Sequence, residues 1–170
     1  MQVSRWLTAP LVALVLAAAI PQSAQAREIV GFSGNYSAGT VVVHTNERSL
    51  YYVLGGGKAM RYPVGVGRAG RQWSGTTFIN GKGMGLAWAP PPVVRRDKPN
   101  LPSVVPAGAP NNPLGAAVIF LAGREAAIHG TNNPGSIGGA VSYGCIRMFN
   151  ADVLDLYGRV GFGTAVIVTR

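Results

Sequence analysis

Thr40-Val41-Val42-Val43-His44-Thr45, then Asn46-Glu47-Arg48, then Ser49-Leu50-Tyr51-Tyr52-Val53-Leu54 reads as two β-strands and the turn between them. Branched and aromatic side chains suit the pleated surface of a strand, whereas Asn and its charged neighbours suit a turn. The pattern continues outward. Gly55-Gly56-Gly57 supplies the next turn, and from Lys58 to Val66 the apolar Met60, Tyr62, Val64 and Val66 alternate with Arg61, Pro63 and Gly65. That period of two belongs to a strand with one buried face. Pro63, which has no N–H to give a neighbour, predicts an edge position for it. Upstream, Ile29 to Phe32 predict a first edge strand or a loose leader. Downstream, Ala116 to Ala122 and Glu125 to His129 predict two strands turned at Gly123-Arg124, and Thr164 to Thr169 a closing strand. Asn150 is placed to cap a short helix from Ala151 to about Val160, with Asp152 in the first turn and Arg159 in the last. Val153, Leu156, Tyr157 and Val160 form its apolar stripe, and Gly161 can end it. The class is mainly β, with the helix expected beside the strand that carries the cysteine.

The first 26 residues read as a secretory leader. Arg5 gives a positive start, Leu7 to Ile20 is largely apolar, and Ala24-Gln25-Ala26 has the small-residue form of a cleavage site. Pro10 interrupts the run, which counts against an uncleaved anchor, because a spanning helix wants about 20 apolar residues. Cleavage after Ala26 would leave residues 27–170, enough for one domain, with no stable membrane span. Arg5 is the only charge removed, so +8 of the formal +9 stays with the remainder. In an exported protein without a concentrated basic run, that charge fits an anionic wall polymer better than nucleic acid.

Two scarce reactive side chains share one short segment. Cys145 is the single cysteine and His129 one of two histidines, and between them runs a stretch rich in Gly, Asn, Ser and Pro that can fold back on itself. A lone thiol in an oxidising compartment cannot form an internal disulfide, so it is either inert and buried or kept for reactivity. Attack on a carbonyl requires thiolate, and a free thiol has a pKa of about 8.5, so a neighbouring base or cation must help. His129 and Arg147 are the candidates. Gly144 lets a substrate approach the main chain, and the N–H groups of Tyr143, Gly144 and Cys145 can face a developing oxyanion.

His129-Gly130-Thr131-Asn132 followed by Ser142-Tyr143-Gly144-Cys145-Ile146-Arg147-Met148 resembles the signature of the L,D-transpeptidase catalytic domain. The resemblance implies a β-sandwich of mixed sheets with one short helix after the catalytic cysteine. It implies an exported, periplasmic, wall-associated acyltransferase acting on peptidoglycan stem peptides. The cysteine attacks after the third residue of a stem, releases the terminal D-alanine, and passes the acyl group to an amine. By position, Cys145 matches the nucleophile, His129 the proton donor and acceptor, and Gly130 the residue whose carbonyl orients the imidazole. Arg147, Ser142, Thr131 and Asn132 match substrate-binding positions. No metal or cofactor is implied. The family usually has a second histidine directly before the Gly-Cys pair, and this chain has Tyr143 there.

The same site supports other outcomes. Water in place of the amine would make an L,D-carboxypeptidase or a hydrolase of wall cross-links, and a non-catalytic wall-binding module would keep the fold without using the sulfur. The acceptor amine can belong to another stem, a lipoprotein, an outer-membrane protein or a free D-amino acid. A sortase-like arrangement also pairs Cys, His and Arg, but with more chain between the first two. Residues 89–115 hold eight of the twelve prolines and are long for a connection, so they are expected to form a lid over the thiol. His44 reads as a surface or packing residue. The glycines around Gly67 and Gly70 lack the Lys-Ser/Thr ending of a phosphate loop.

Overall fold

In the computed structural model the described residues are 27–170, and the predicted leader lies outside them. The central strand is β4, Lys58–Gly67, whose alternation buries Tyr62, Val64 and Val66 on one face. On one flank it meets β3 (Ser49–Gly55), which continues through β2 (Val41–His44) and β10 (Ala165–Thr169) to β5 (Gly75–Met84). The path goes on through β6 (Ala117–Leu121) and β7 (Ala127–His129) to β9 (Ile146–Met148). Strand β9 then pairs back onto β4, Val64 with Met148 and Gly65 with Arg147, so the sheet closes on itself. Pairings β2–β10 and β7–β9 are parallel, and the others along this path are antiparallel. The walls face each other across one apolar core. Val41, Val43, Leu50, Tyr62 and Val64 come from one side, and Ile79, Ile119, Ile128 and Met148 from the other. This is the expected mixed β-sandwich, joined at one seam.

Pro63 is not on an edge strand. Strand β1 (Glu28–Gly31) pairs with β4 only as far as Arg61, and β9 takes over at Val64. Pro63 occupies the changeover, where its missing N–H leaves no neighbour without a donor. The edge strand is β1, and the residues after it cover the outer face of the first hairpin. Phe32 stacks on Tyr51 with centroids 4.7 Å apart, over a second small cluster of Val42, Val53 and Ala59. His44 belongs to this packing, its Nδ1 3.0 Å from the Glu47 carboxylate and its ring beside Tyr51.

Helix α1 (Pro92–Asp97) lies in the proline-rich segment, which the sequence reading left without a helix. Helix α2 (Asn150–Arg159) follows the cysteine as expected, with Val153 and Leu156 fully buried. It packs on β6 and β7, and so behind the strand of His129. Phe149, not Asn150, is its N-cap residue, and no side chain caps it. Two long-range ties hold it. Tyr62 donates to Asp155 at 2.5 Å while Arg159 grips the same carboxylate at 2.8 and 3.1 Å. At the helix C-terminus Lys82 donates to the carbonyls of Tyr157 and Val160, where the helix dipole favours a cation.

Candidate active site

Strands β7 and β9 lie side by side and parallel, with Ile128 opposite Ile146 and His129 opposite Arg147. Because side chains alternate across a strand, Ile128 and Ile146 turn into the core and His129 shares the other face with Arg147. Cys145 sits one residue before Ile146, on that same face and diagonal to His129. Both line a cavity of about 1030 Å³. The chain between them is stitched to β4 and does not form a free turn. Strand β8 (Ala140–Ser142) pairs with Val66 and Gly67, Gly138 donates to the Val64 carbonyl, and Arg68 donates to the Ser142 carbonyl.

The cysteine loop is held by side chains on both sides. The Ser142 hydroxyl donates to the Cys145 carbonyl at 2.6 Å and accepts the Gly144 N–H at 3.0 Å. Trp73 donates to the Gly144 carbonyl at 2.9 Å. Gly144 itself has φ +125°, a conformation that side-chain-bearing residues resist. One expected oxyanion donor, the Gly144 N–H, is therefore already engaged, and the hydroxyl of Ser142 is spent on the loop.

His129 is 5% exposed, and its Nδ1 lies 2.6 Å from the Gly130 carbonyl. A carbonyl only accepts, so the proton of the neutral ring sits on Nδ1 and the lone pair on Nε2. Gly130 is fixed in turn by Asn150, whose Oδ1 accepts the N–H groups of Ala116 and Thr131 while its Nδ2 donates to the Thr131 carbonyl. A Cβ on Gly130 would run into Asn150 Oδ1. The glycine after the histidine is thus a steric requirement.

Burial governs the protonation of the pair. It pushes His129 down to about 4, with the Arg147 charge acting in the same direction and the carbonyls of Gly130 and Pro113 opposing. It pushes the Cys145 thiol up, against the smaller pull of the Ala127 N–H and Arg147. Burial thus favours the neutral form of both the thiol and the imidazole.

The remaining predicted binding residues separate. Arg147 lines the cavity, and its Nε is buried with no hydrogen-bond partner. The Thr131 hydroxyl is engaged with Asn133 of its own turn, and Asn132 reaches the Pro110 carbonyl at 3.4 Å. Neither lines the cavity.

Residues 38–168 match the family described as YkuD: L,D-transpeptidase catalytic domain. The chain belongs to that family. It is 41% identical over 135 residues to a Salmonella typhimurium protein named probable L,D-transpeptidase ErfK/SrfK, covering 74% of this chain and 42% of that one. To the probable L,D-transpeptidase YbiS of Escherichia coli it is 38% identical over 136 residues, covering 75% and 43%. The chain spans about two-fifths of the length of these curated relatives. Among solved structures, an L,D-transpeptidase from Mycobacterium smegmatis superposes with a TM-score of 0.61 at 17% identity, covering 78% of this chain and 59% of that one. L,D-transpeptidase 3 from Mycobacterium tuberculosis gives 0.59 at 17%, covering 78% and 61%. At that identity the likeness speaks for the fold.

Within this L,D-transpeptidase domain, Tyr143 stands where the sequence reading places the family's usual histidine, and a different network surrounds it. The Arg68 guanidinium lies 4.2 Å from the centre of its ring and reaches Asp97 of α1 at 2.7 Å. The proline-rich segment is thereby tied to the cysteine loop. It is folded in its own right. Trp88 and Val105 exchange two backbone hydrogen bonds, and buried Asn112 donates to the carbonyls of Leu86 and Pro106 while accepting the N–H of Leu114. Trp88, Val94, Pro113 and Leu114 form one wall of the cavity. The site roles of Trp73, Asn112, Arg124 and Asn150 escaped the sequence reading, which placed Arg124 only in a turn and Asn150 only at a helix cap. Only Trp73, as one of three tryptophans, carried even a compositional signal.

Proposed function

We propose that this domain is an exported L,D-transpeptidase that works on peptidoglycan stem peptides through a thioester on Cys145. The observation that carries the reading is the β7–β9 register, which puts thiol and imidazole on one face, at one cavity, with the imidazole proton pinned on Nδ1 by Gly130. Because burial favours the neutral form of both groups, the proton moves as the bond forms. Sγ attacks the carbonyl carbon after the third stem residue while His129 Nε2 takes the thiol proton. The N–H groups of Tyr143 and Cys145 face the oxyanion, the Gly144 N–H being held by Ser142. Collapse breaks the C–N bond, and His129 returns the proton to the departing D-alanine amine. An acceptor amine then attacks the thioester, gives its proton to His129, and leaves with the acyl group as the thiol re-forms. Arg147 meets substrate carboxylate from β9. The wall formed by residues 88–115 keeps water from the thioester. Residues 1–26 direct the chain to the periplasm.

Isolated peptidoglycan incubated with the protein should gain 3-3 cross-links, and Cys145→Ala should abolish them. Tripeptide stems without cross-links would make the protein an L,D-carboxypeptidase. Neither product, from a folded protein whose thiol still alkylates, would overturn the wall-peptide reading. Intact mass after exposure to a carbapenem should show one adduct on Cys145.

A further inference from the structure

The cavity wall carries more cations than acids. Five of the six acidic residues have a positive or titratable partner away from the cavity. Glu28 meets Arg61, Glu47 meets His44, Asp97 meets Arg68 and Arg96, Asp152 meets Arg27, and Asp155 meets Arg159. The cavity wall carries Arg71, Arg124 and Arg147 against a single acid, Glu125, and among the described residues none of these three arginines is in an ion pair. Three guanidiniums facing one space repel one another unless anions enter it.

Their placement is also fixed in advance. Arg124, from the turn between β6 and β7, lies 3.9 Å over the ring of Trp73, and Trp73 is itself bonded to the Gly144 carbonyl next to the nucleophile. Stacking leaves the edge of a planar guanidinium free to take a carboxylate in bidentate fashion. Arg71, two residues before Trp73, approaches the other side of the cysteine loop, 6.0 Å from the Tyr143 ring centre. Arg147 Nε is a buried donor that no protein atom satisfies. A buried donor left unmet costs free energy until a ligand oxygen or water meets it.

We infer that Arg124 and Arg71 are specificity residues for free carboxylates carried along the stem, so that the site selects anionic stems over stems whose side carboxyls are amidated. The inference rests on the transpeptidase reading and deepens it by naming the charge state of the preferred substrate. Arg124 acts on binding, from its stack on Trp73, and takes no part in proton transfer.

The test compares two synthetic tetrapeptide donors, one with free side carboxyls and one with the same groups amidated, each with one amine acceptor. The purified protein should favour the free form in kcat/KM by at least tenfold, chiefly through KM. Arg124→Gln and Arg71→Gln should each shrink that ratio about tenfold, and Arg124→Lys should restore part of it. Alkylation of Cys145 by iodoacetamide, which is neutral, reports that the thiol site is intact in each variant. Equal turnover of the two donors, or a ratio that neither Gln variant alters, would overturn the inference and leave the transpeptidase reading standing. Failure of the unmodified protein to turn over either donor, with the thiol still alkylated, would remove that reading and the inference with it.

Discussion

His129 and Cys145 each sit where burial disfavours the charged form, and this sets how the site responds to pH. The unfolded imidazole binds its proton near 6.5 and the folded one near 4. A base must be unprotonated to act, so kcat/KM should fall on the acid side near pH 4, not near 6.5, in a profile measured from pH 3 to 8. The same shift is a stability statement. Above pH 6.5 both states hold neutral histidine and the contribution is complete. As pH falls from 6.5 to about 4 only the unfolded chain gains a proton, and about 3 kcal/mol is lost. Urea titrations at pH 7 and 4 should show that loss, reduced in His129→Gln. Asn150 is the second residue whose weight is calculable. Asn150→Ala removes an acceptor from two N–H groups and a donor from one carbonyl. It should cost about 2–4 kcal/mol in urea titrations and should lower kcat by loosening Gly130 beneath the imidazole.

Helix α2 and the segment 88–115 are the elements that hold the site in shape. Tyr62 is fully buried, so Tyr62→Phe keeps its packing and deletes only the hydrogen bond to Asp155. Bonds to a charged acceptor are worth about 1.5–3 kcal/mol, and thermal or urea unfolding should register a loss in that range. Arg159 and then Tyr62 hold the Asp155 carboxyl below its usual range against burial, so this tie is present at neutral pH and fades as Asp155 protonates in acid. The proline-rich segment is anchored differently, through the exposed Arg68–Asp97 pair above Tyr143. Asp97→Asn should leave overall stability unchanged while raising the proportion of thioester lost to water. The ratio of tripeptide to cross-linked product measures that. A deletion of residues 93–105 that folds and keeps the original ratio would remove the lid.

At the scale of the whole molecule, the chain is basic, with a formal charge of +9, and part of that charge faces the cavity. Among the described residues, Arg71, Arg124 and Arg147 belong to the cations that no ion pair neutralises, and only Glu125 stands against them at the cavity wall, so the cavity itself is net positive. On the proposed function, capture of an anionic wall fragment should weaken with salt. Raising ionic strength from 0.01 to 0.15 M shortens the screening length from about 30 to about 8 Å, and kcat/KM should drop with little change in kcat.

Branched and aromatic runs made β2 and β3 legible from sequence, and a period of two made β4 legible, because alternation directly encodes which face meets the core. The glycine-rich return from His129 to Cys145 was legible as a fold-back, and its residues carried the family resemblance. Readings failed where a residue's partner is distant in sequence. Pro63 marks an edge by local rules, yet it sits where one neighbour of β4 gives way to another. Asn150 has the identity of a helix cap but spends its amide on Ala116 and Thr131, which only the packed fold brings to it. Thr131 and Asn132 neighbour the histidine in sequence yet point into other hydrogen bonds.

The amino-acid order by itself determined most of the strands, though not β5 or β8, and it placed the scarce Cys and His in one segment with the glycines that let that segment turn. These follow from local sterics and side-chain period. Tertiary structure alone decided that burial disfavours the charged forms of thiol and imidazole, that one of three backbone donors is already taken, and that three arginines with no ion pair among the described residues line the cavity. Each of those depends on solvent exclusion and on partners supplied by remote parts of the chain, and neither quantity is written in any local stretch.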